Sequence, residues 1–280
     1  MTANILSEIL ERQRRIVARV RTDRTFRHCR ERALAVRTHT SPHRLVRALD
    51  SNSRGPKIIA EFKRRSPSAG TIRTDLSPAE VAGCYERGGA CAISVLTDEE
   101  YFGGSLADLA AIRASTGLPV LRKDFIIDAM QIYEAAASGA DAILLIAAAL
   151  DDAMLVTLRA TAEDELGLDA LVEVHTSEEL RRGVTAGARI VGVNNRDLRT
   201  FRTSLETSER LVAERPRGTI MISESGLQTA ESLHHLHVLG FHGFLIGETL
   251  MRATDPEKAL RDLIAEFETL QVTSAMPRRL

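Results

Sequence analysis

The chain has 280 residues, 44% of them hydrophobic and 27% charged, with a formal net charge of -1. That balance fits an ordinary folded protein, long enough for one large α/β domain, and excludes a disordered chain. The near-zero charge argues against a nucleic-acid or acidic-membrane partner, and no apolar run is long enough to span a bilayer.

In chain order, MTANILSEILERQRR lacks the apolar core of a secretory signal. Residues 1–50 carry twelve Arg against five Asp/Glu. Regular apolar positions predict one or two amphipathic helices whose basic side faces solvent. A basic arm for nucleic acid is the other reading of this stretch. Cys29, Cys84 and Cys91 are odd in number and lack metal spacing. They read as small buried hydrophobes in a reducing cytoplasm.

From residue 57 onward, short apolar runs recur between turn residues. They are 57–62 (KIIAEF), 91–97 (CAISVLT), 118–123 (LPVLRK), 141–147 (DAILLIA), 169–174 (DALVEV), 190–194 (IVGVN), 219–223 (TIMIS) and 242–246 (HGFLI). Apolar on both phases, they predict parallel strands buried on both faces. Helical patterns lie between them. Ser77-Pro78-Ala79-Glu80 is a capping box closed by Gly88, Thr176-Ser177-Glu178-Glu179 is a second, and Asp255-Pro256 opens the last helix.

Eight strand–helix alternations predict a (β/α)8 TIM barrel with an N-terminal helical extension. A doubly wound open sheet is the rival. However, RRSP follows the first strand, where a dinucleotide-binding sheet would carry its glycines. The expected division is a helical extension over 1–50, the barrel over 51–272 and a tail over 273–280.

In such a barrel the chemistry lies at the C-terminal ends of the strands, on inward-facing positions. Glu61 and Lys63 share one phase. Lys123 ends the third run, Glu173 is in phase with Leu171, and Asn194 is in phase with Ile190 and Gly192. Ser223 and Ser225 are the polar candidates at the seventh run, and Gly247-Glu248 follow the eighth. The chain holds four lysines among 37 basic residues, and two of the four stand at these strand ends. Arginine cannot readily give up its proton, whereas lysine offers a compact ammonium and can take part in proton transfer. Ser225-Gly226 and Gly247 lie after the last two strands, where barrels often bind phosphate.

These motifs resemble the indole-3-glycerol phosphate synthase family. The matching stretches are IIAEFKRRSPSAG, SVLTDEEYFGGSLADL, LPVLRKDFIID, QIYEAAASGADAILLIAAAL, LVEVHTSEEL, VGVNNRDLRTF, ISESGL and FLIGETLM. The resemblance implies closure of a pyrrole ring on 1-(2-carboxyphenylamino)-1-deoxyribulose 5-phosphate, with loss of CO2 and water and with neither metal nor organic cofactor. It implies Lys123 as general acid at the ribulosyl carbonyl. Lys63, held by Glu61, would meet the substrate carboxylate and serve as a second proton donor. Glu173 would be the base in dehydration, oriented by Asn194. Ser66 and Arg196 would contact the polar end, and Phe102, Phe125 and Leu198 the anthranilate ring. Ser225, Gly226, Leu245, Gly247 and Glu248 would frame the phosphate. The stretch from Arg64 to Thr74 would close over the substrate. Many relatives have Pro-Tyr where this chain has Ala129-Met130, which bears on the loop after the third strand. The expected partner is a small phosphorylated substrate, with no nucleic acid or membrane, for a cytoplasmic monomer or homodimer. Other readings of the same residues are a phosphosugar isomerase or Schiff-base aldolase, and a paralogue that binds anthranilate metabolites.

Overall fold

The computed structural model describes residues 5–51, 55–197 and 202–275. Three helices precede the first strand: α1 (Ile5–Val20), α2 (Asp23–Thr38) and α3 (Arg44–Leu49). The barrel strands are β1 (Lys57–Phe62), β2 (Ala92–Leu96), β3 (Val120–Lys123), β4 (Ala142–Ile146), β5 (Asp169–Val174), β6 (Ile190–Asn194), β7 (Ile220–Glu224) and β8 (Gly243–Ile246). Each pairs in parallel with its sequence neighbour, and β8 closes on β1, with Lys57 opposite Gly243. The helices that follow α3 are α4 (Pro78–Gly88), α5 (Glu99–Phe102), α6 (Leu106–Ser115), α7 (Ala129–Ala137), α8 (Asp152–Ala160), α9 (Ser177–Thr185), α10 (Glu206–Val212), α11 (Ala230–Leu239), α12 (Glu248–Arg252) and α13 (Pro256–Ala275).

Alternation along the strands separates two cores. Outward residues such as Ile58, Val95, Leu145 and Val172 pack against the helices. Inward residues such as Ile59, Leu121, Leu144, Leu171 and Ile222 fill the barrel. That inner core is closed from below by α3, whose Leu45 and Leu49 belong to it. Burying two leucines there removes apolar surface from water at about 25 cal/mol per Å².

The helical extension therefore reaches both ends of the barrel. At the floor, Asp169 Oδ2 accepts the backbone N–H groups of Leu45 and Val46 at 2.8 and 3.0 Å. Asp141 is ringed by Arg44 at 2.7 Å, Arg113 at 2.9 Å and Arg37 at 3.7 Å. At the top, Arg12 of α1 pairs with Asp98 and Glu100. Arg21 and Arg30 reach Asp128 and Glu165. Part of the basic excess in residues 1–50 is thus matched by acids of the barrel.

Small boundary differences have local causes. The strands begin one or two residues later than the apolar runs where Pro119 or a pre-strand turn intervenes. Helix α4 carries its full capping box, but the left-handed cap is Gly89 (φ 97°), one residue beyond Gly88. Cys29, Cys84 and Cys91 are free and half-buried rather than fully buried. Burial pushes the Cys91 thiol up to about 12, which leaves it inert. Among the described residues no helix is long and apolar enough to cross a membrane.

Candidate active site

The C-terminal ends of the strands surround a cavity of about 600 Å³. Lys123, at the end of β3, points into it. Its Nζ lies 2.9 Å from Glu173 Oε2 on β5 and 3.2 Å from Glu224 Oε2 on β7. Across the mouth, Lys63 Nζ donates to Glu61 Oε1 at 2.6 Å. Asn194, the last residue of β6, hydrogen-bonds Glu173 and accepts the Arg196 backbone N–H at 3.0 Å.

Two glycines make this crowding possible. Gly192 on β6 sits beside the Glu224 carboxylate, and a Cβ there would overlap Oε1. Gly247 after β8 does the same for Glu61. The inward phase is thus occupied by carboxylates on some strands and left empty on the neighbours that would crowd them.

The electrostatics follow from burial and spacing. Burial opposes the charge on Lys123, but Glu173, Glu224 and Glu61 outweigh it and raise its pKa. Burial also opposes ionisation of Glu173. Lys123, His175 and the Asn194 hydrogen bond more than offset this, so Glu173 is held below its ordinary value. Glu224 goes the other way: burial and the neighbouring Glu173 prevail over Lys123, and its carboxyl is pushed up to about 7. Two adjacent carboxyls with opposed shifts are a natural acid–base pair.

The walls are partly apolar. Phe102 and Phe125 face each other with ring centroids 6.3 Å apart and both line the cavity, as do Ile5, Leu6 and Ile9 of the N-terminal arm. The loop after β1 forms a short hairpin pairing Arg65–Ser66 with Gly70–Thr71. It is tied down by the two-pronged Arg64–Asp108 pair at 2.6 and 2.7 Å. Its tip meets the other side of the mouth, where Arg196 donates to Ser68 Oγ at 3.0 Å. After β7, Ser225 (φ 69°) and Gly226 (φ 75°) are successive left-handed residues. For a serine this costs about 1 kcal/mol, and the turn is held by Asn195 Nδ2, which donates to Ser225 O at 3.1 Å and Ser223 Oγ at 3.0 Å.

The family description indole-3-glycerol phosphate synthase matches residues 6–263. A protein of that name from Carboxydothermus hydrogenoformans is 46% identical over 93% of this chain and 99% of its own length. The chain belongs to the indole-3-glycerol phosphate synthase family. A relative of that name from Kineococcus radiotolerans is 44% identical over 93% of this chain and 95% of its own length. One from Acidithiobacillus ferrooxidans is 50% identical over 74% of this chain and 79% of its own length. The fold alone is shared with thiamine phosphate pyrophosphorylase from Pyrococcus furiosus (TM-score 0.58, 18% identity, 76% of this chain and 96% of that one). It is also shared with 3-hexulose-6-phosphate synthase from Salmonella typhimurium (TM-score 0.57, 15% identity, 77% and 99%).

In this indole-3-glycerol phosphate synthase barrel, Glu61, Lys63, Lys123, Glu173 and Asn194 all line one cavity. So do Ser66, Phe102, Phe125, Arg196, Ser225, Gly226, Leu245, Gly247 and Glu248. Leu198 lies outside the described residues. The Glu248 side chain is turned to Arg252 at 2.9 Å.

Two sequence readings need correction. Ser223 does not face the mouth. It is fully buried behind the barrel, with Ser208 at 2.8 Å and Asn195 at 3.0 Å. The inward residue is Glu224, because β7 runs one residue further than the TIMIS run and alternates Ile220, Ile222, Glu224. That alternation was the signal available for Glu224. The second concerns Thr176-Ser177-Glu178-Glu179. Thr176 caps α9 by accepting the Glu179 N–H at 3.1 Å. The Glu179 carboxylate, however, accepts the backbone N–H of His175 at 2.7 Å.

Proposed function

We propose that the barrel mouth forms indole-3-glycerol phosphate, with Lys123 as the central group. Its ammonium donates to the ribulosyl carbonyl of the carboxyphenylamino-deoxyribulose phosphate. This makes the carbonyl carbon electrophilic toward the ring carbon that bears the carboxylate. Lys63, steadied by Glu61, neutralises that carboxylate and is the second proton donor. Once CO2 has left, Glu173 takes the ring proton in dehydration, with Asn194 fixing its orientation. Glu224, poised near neutrality, is the group able to shuttle a proton with Lys123.

Substrate placement follows the walls of the cavity. Phe102 and Phe125 clasp the anthranilate ring, while Ser66 and Arg196 meet the polar end. The phosphate lies against Ser225, Gly226, Leu245, Gly247 and Glu248, the last through its backbone. The single observation that carries this reading is the Lys123 ammonium set between two buried carboxylates at 2.9 and 3.2 Å, inside the cavity at the barrel mouth. We propose residues 1–50 as a helical extension, 51–272 as the catalytic barrel and 273–280 as a tail, in a cytoplasmic monomer or homodimer.

Supplying the carboxyphenylamino-deoxyribulose phosphate and following indole fluorescence tests the proposal. Wild-type protein should generate the signal, and Lys63→Ala should weaken it strongly. Borohydride added with a phosphosugar should trap no lysine adduct. A trapped Lys63 or Lys123 would instead favour Schiff-base aldolase chemistry.

A further inference from the structure

His175 follows β5 and does not line the cavity. Its ring lies against Glu173. Nε2 is 3.7 Å from Glu173 Oε1, the oxygen not taken by Lys123. Nδ1 is 3.4 Å from Glu179 Oε2, which also accepts the His175 backbone N–H at 2.7 Å. Nε2 is buried and has no hydrogen-bond partner among the described residues. Glu173 is 3% exposed, whereas His175 and Glu179 are both partly exposed, at 15% and 16%.

The reaction requires a proton from outside. Ring closure adds one proton to the carbonyl oxygen. CO2 leaves from a carboxylate, and its bonding electron pair stays with the ring system. The hydroxyl then departs as water, taking a second proton, while one C–H proton is released. Each turnover therefore consumes one proton net. While substrate fills the mouth, the buried carboxylates are shielded from bulk water on that side.

We propose that His175 is a positioning residue that stores this proton beside Glu173 and is itself held by Glu179. Once Lys123 has given its proton to the carbonyl oxygen, Glu173 loses its ammonium partner. The Nε2–H bond of the imidazolium then breaks and a Glu173 Oε1–H bond forms. The carboxyl passes a proton on to the neutral Lys123 amine, so that Glu173 is again a carboxylate before dehydration. The ring is left neutral, with its remaining proton on Nδ1 toward Glu179. Solvent reaches the partly exposed ring beside Glu179 and reloads it. The inference rests on Glu173 acting as the base.

The surroundings favour the stored charge. The acidic groups facing the ring are Glu173 from β5, Glu179 from α9 and Glu224 from β7. Lys123 lies beyond Glu173, and Arg210 of α10 touches only the His175 carbonyl, at 3.3 Å. Burial works against the imidazolium, but Glu179 and then Glu173 outweigh it, so His175 titrates above its ordinary value. The 3.7 Å gap is longer than a hydrogen bond, and such gaps in substrate-free sites often tighten when the complex forms.

The test compares His175→Gln, Glu179→Gln and Glu173→Gln by kcat, KM, Tm and pH profile. His175→Gln should lower kcat about tenfold or more with little change in KM. It should also erase a limb of the wild-type profile on which kcat falls as pH rises through the His175 titration. Glu179→Gln should move that limb to lower pH, because it removes the carboxylate that holds the charge. In His175→Ala, added imidazole should restore part of the rate in proportion to its concentration. If Glu173→Gln is inactive while His175→Gln keeps the wild-type limb and rate, the reservoir is wrong and the base assignment stands. If Glu173→Gln turns over normally, the base assignment itself has failed. A His175→Gln variant that loses only Tm, with its pH limb intact, would mark the residue as merely structural.

Discussion

Both ends of this barrel bury ionic clusters, yet they are built from different residues. At the floor, Asp141 is ringed by Arg37, Arg44 and Arg113, and Asp169 binds Arg189 and the first turn of α3. At the mouth the cations paired with the cavity carboxylates Glu61, Glu173 and Glu224 are Lys63 and Lys123. The floor is plugged by Leu45 and Leu49, whereas the mouth opens on a cavity of about 600 Å³. Arginine keeps its proton and makes several fixed hydrogen bonds, which suits a permanent joint. Lysine is a compact ammonium that can take part in proton transfer, which suits a reacting centre. Charge burial alone therefore does not mark function; the chemical type of the cation and access to a cavity do.

Breaking each end should give separable effects. Lys123→Ala should lower kcat about a thousandfold or more at temperatures where the variant is folded, since a proton donor and a fixed charge are both lost. Leu45→Ala should do the reverse. It should cost about 2–5 kcal/mol of stability, seen in denaturant unfolding, with near-normal kcat at temperatures where the protein remains folded. Gly192→Ala would push a methyl group against the Glu224 carboxylate. A misplacement of this kind should reduce kcat about a hundredfold, and a crystal structure should show Glu224 displaced.

Glu224→Gln should have a smaller, pH-dependent effect. With its carboxyl pushed up to about 7, Glu224 is neutral below that pH and anionic above it. The mouth thus gains negative charge as pH rises, and KM for the anionic substrate should rise several-fold between about pH 6 and 8. The glutamine variant should lack that rise beyond what the substrate phosphate itself contributes. At the far end of the scale, Arg30→Ala breaks an exposed pair with Glu165 and should change neither kcat nor Tm measurably.

Most of this arrangement was legible in the sequence because period-two alternation is strict inside a barrel. Ile59, Leu121 and Leu171 face inward, and the same phase carries Glu61, Lys123 and Glu173 to the mouth. The reading failed at Glu224, where β7 outlasts its apolar run by one residue and the polar end resembled a loop. Asn195 was also illegible: its value lies in joining Ser208, Ser223 and Ser225 across elements far apart in sequence. The same limit hid the split role of the N-terminal arm. Amphipathic periodicity predicted helices packed on the barrel. Only the tertiary fold assigns α1 to the mouth and α3 to the floor.

The most direct test of the lysine–arginine contrast is the turnover of Lys123→Arg, followed by indole fluorescence beside a Tm measurement. This variant keeps the positive charge between Glu173 and Glu224 but replaces a compact ammonium with a guanidinium that holds its proton. The account predicts a near-wild-type Tm with kcat reduced at least about a hundredfold. Wild-type turnover from Lys123→Arg would contradict it, because a fixed cation would then be all that the mouth requires.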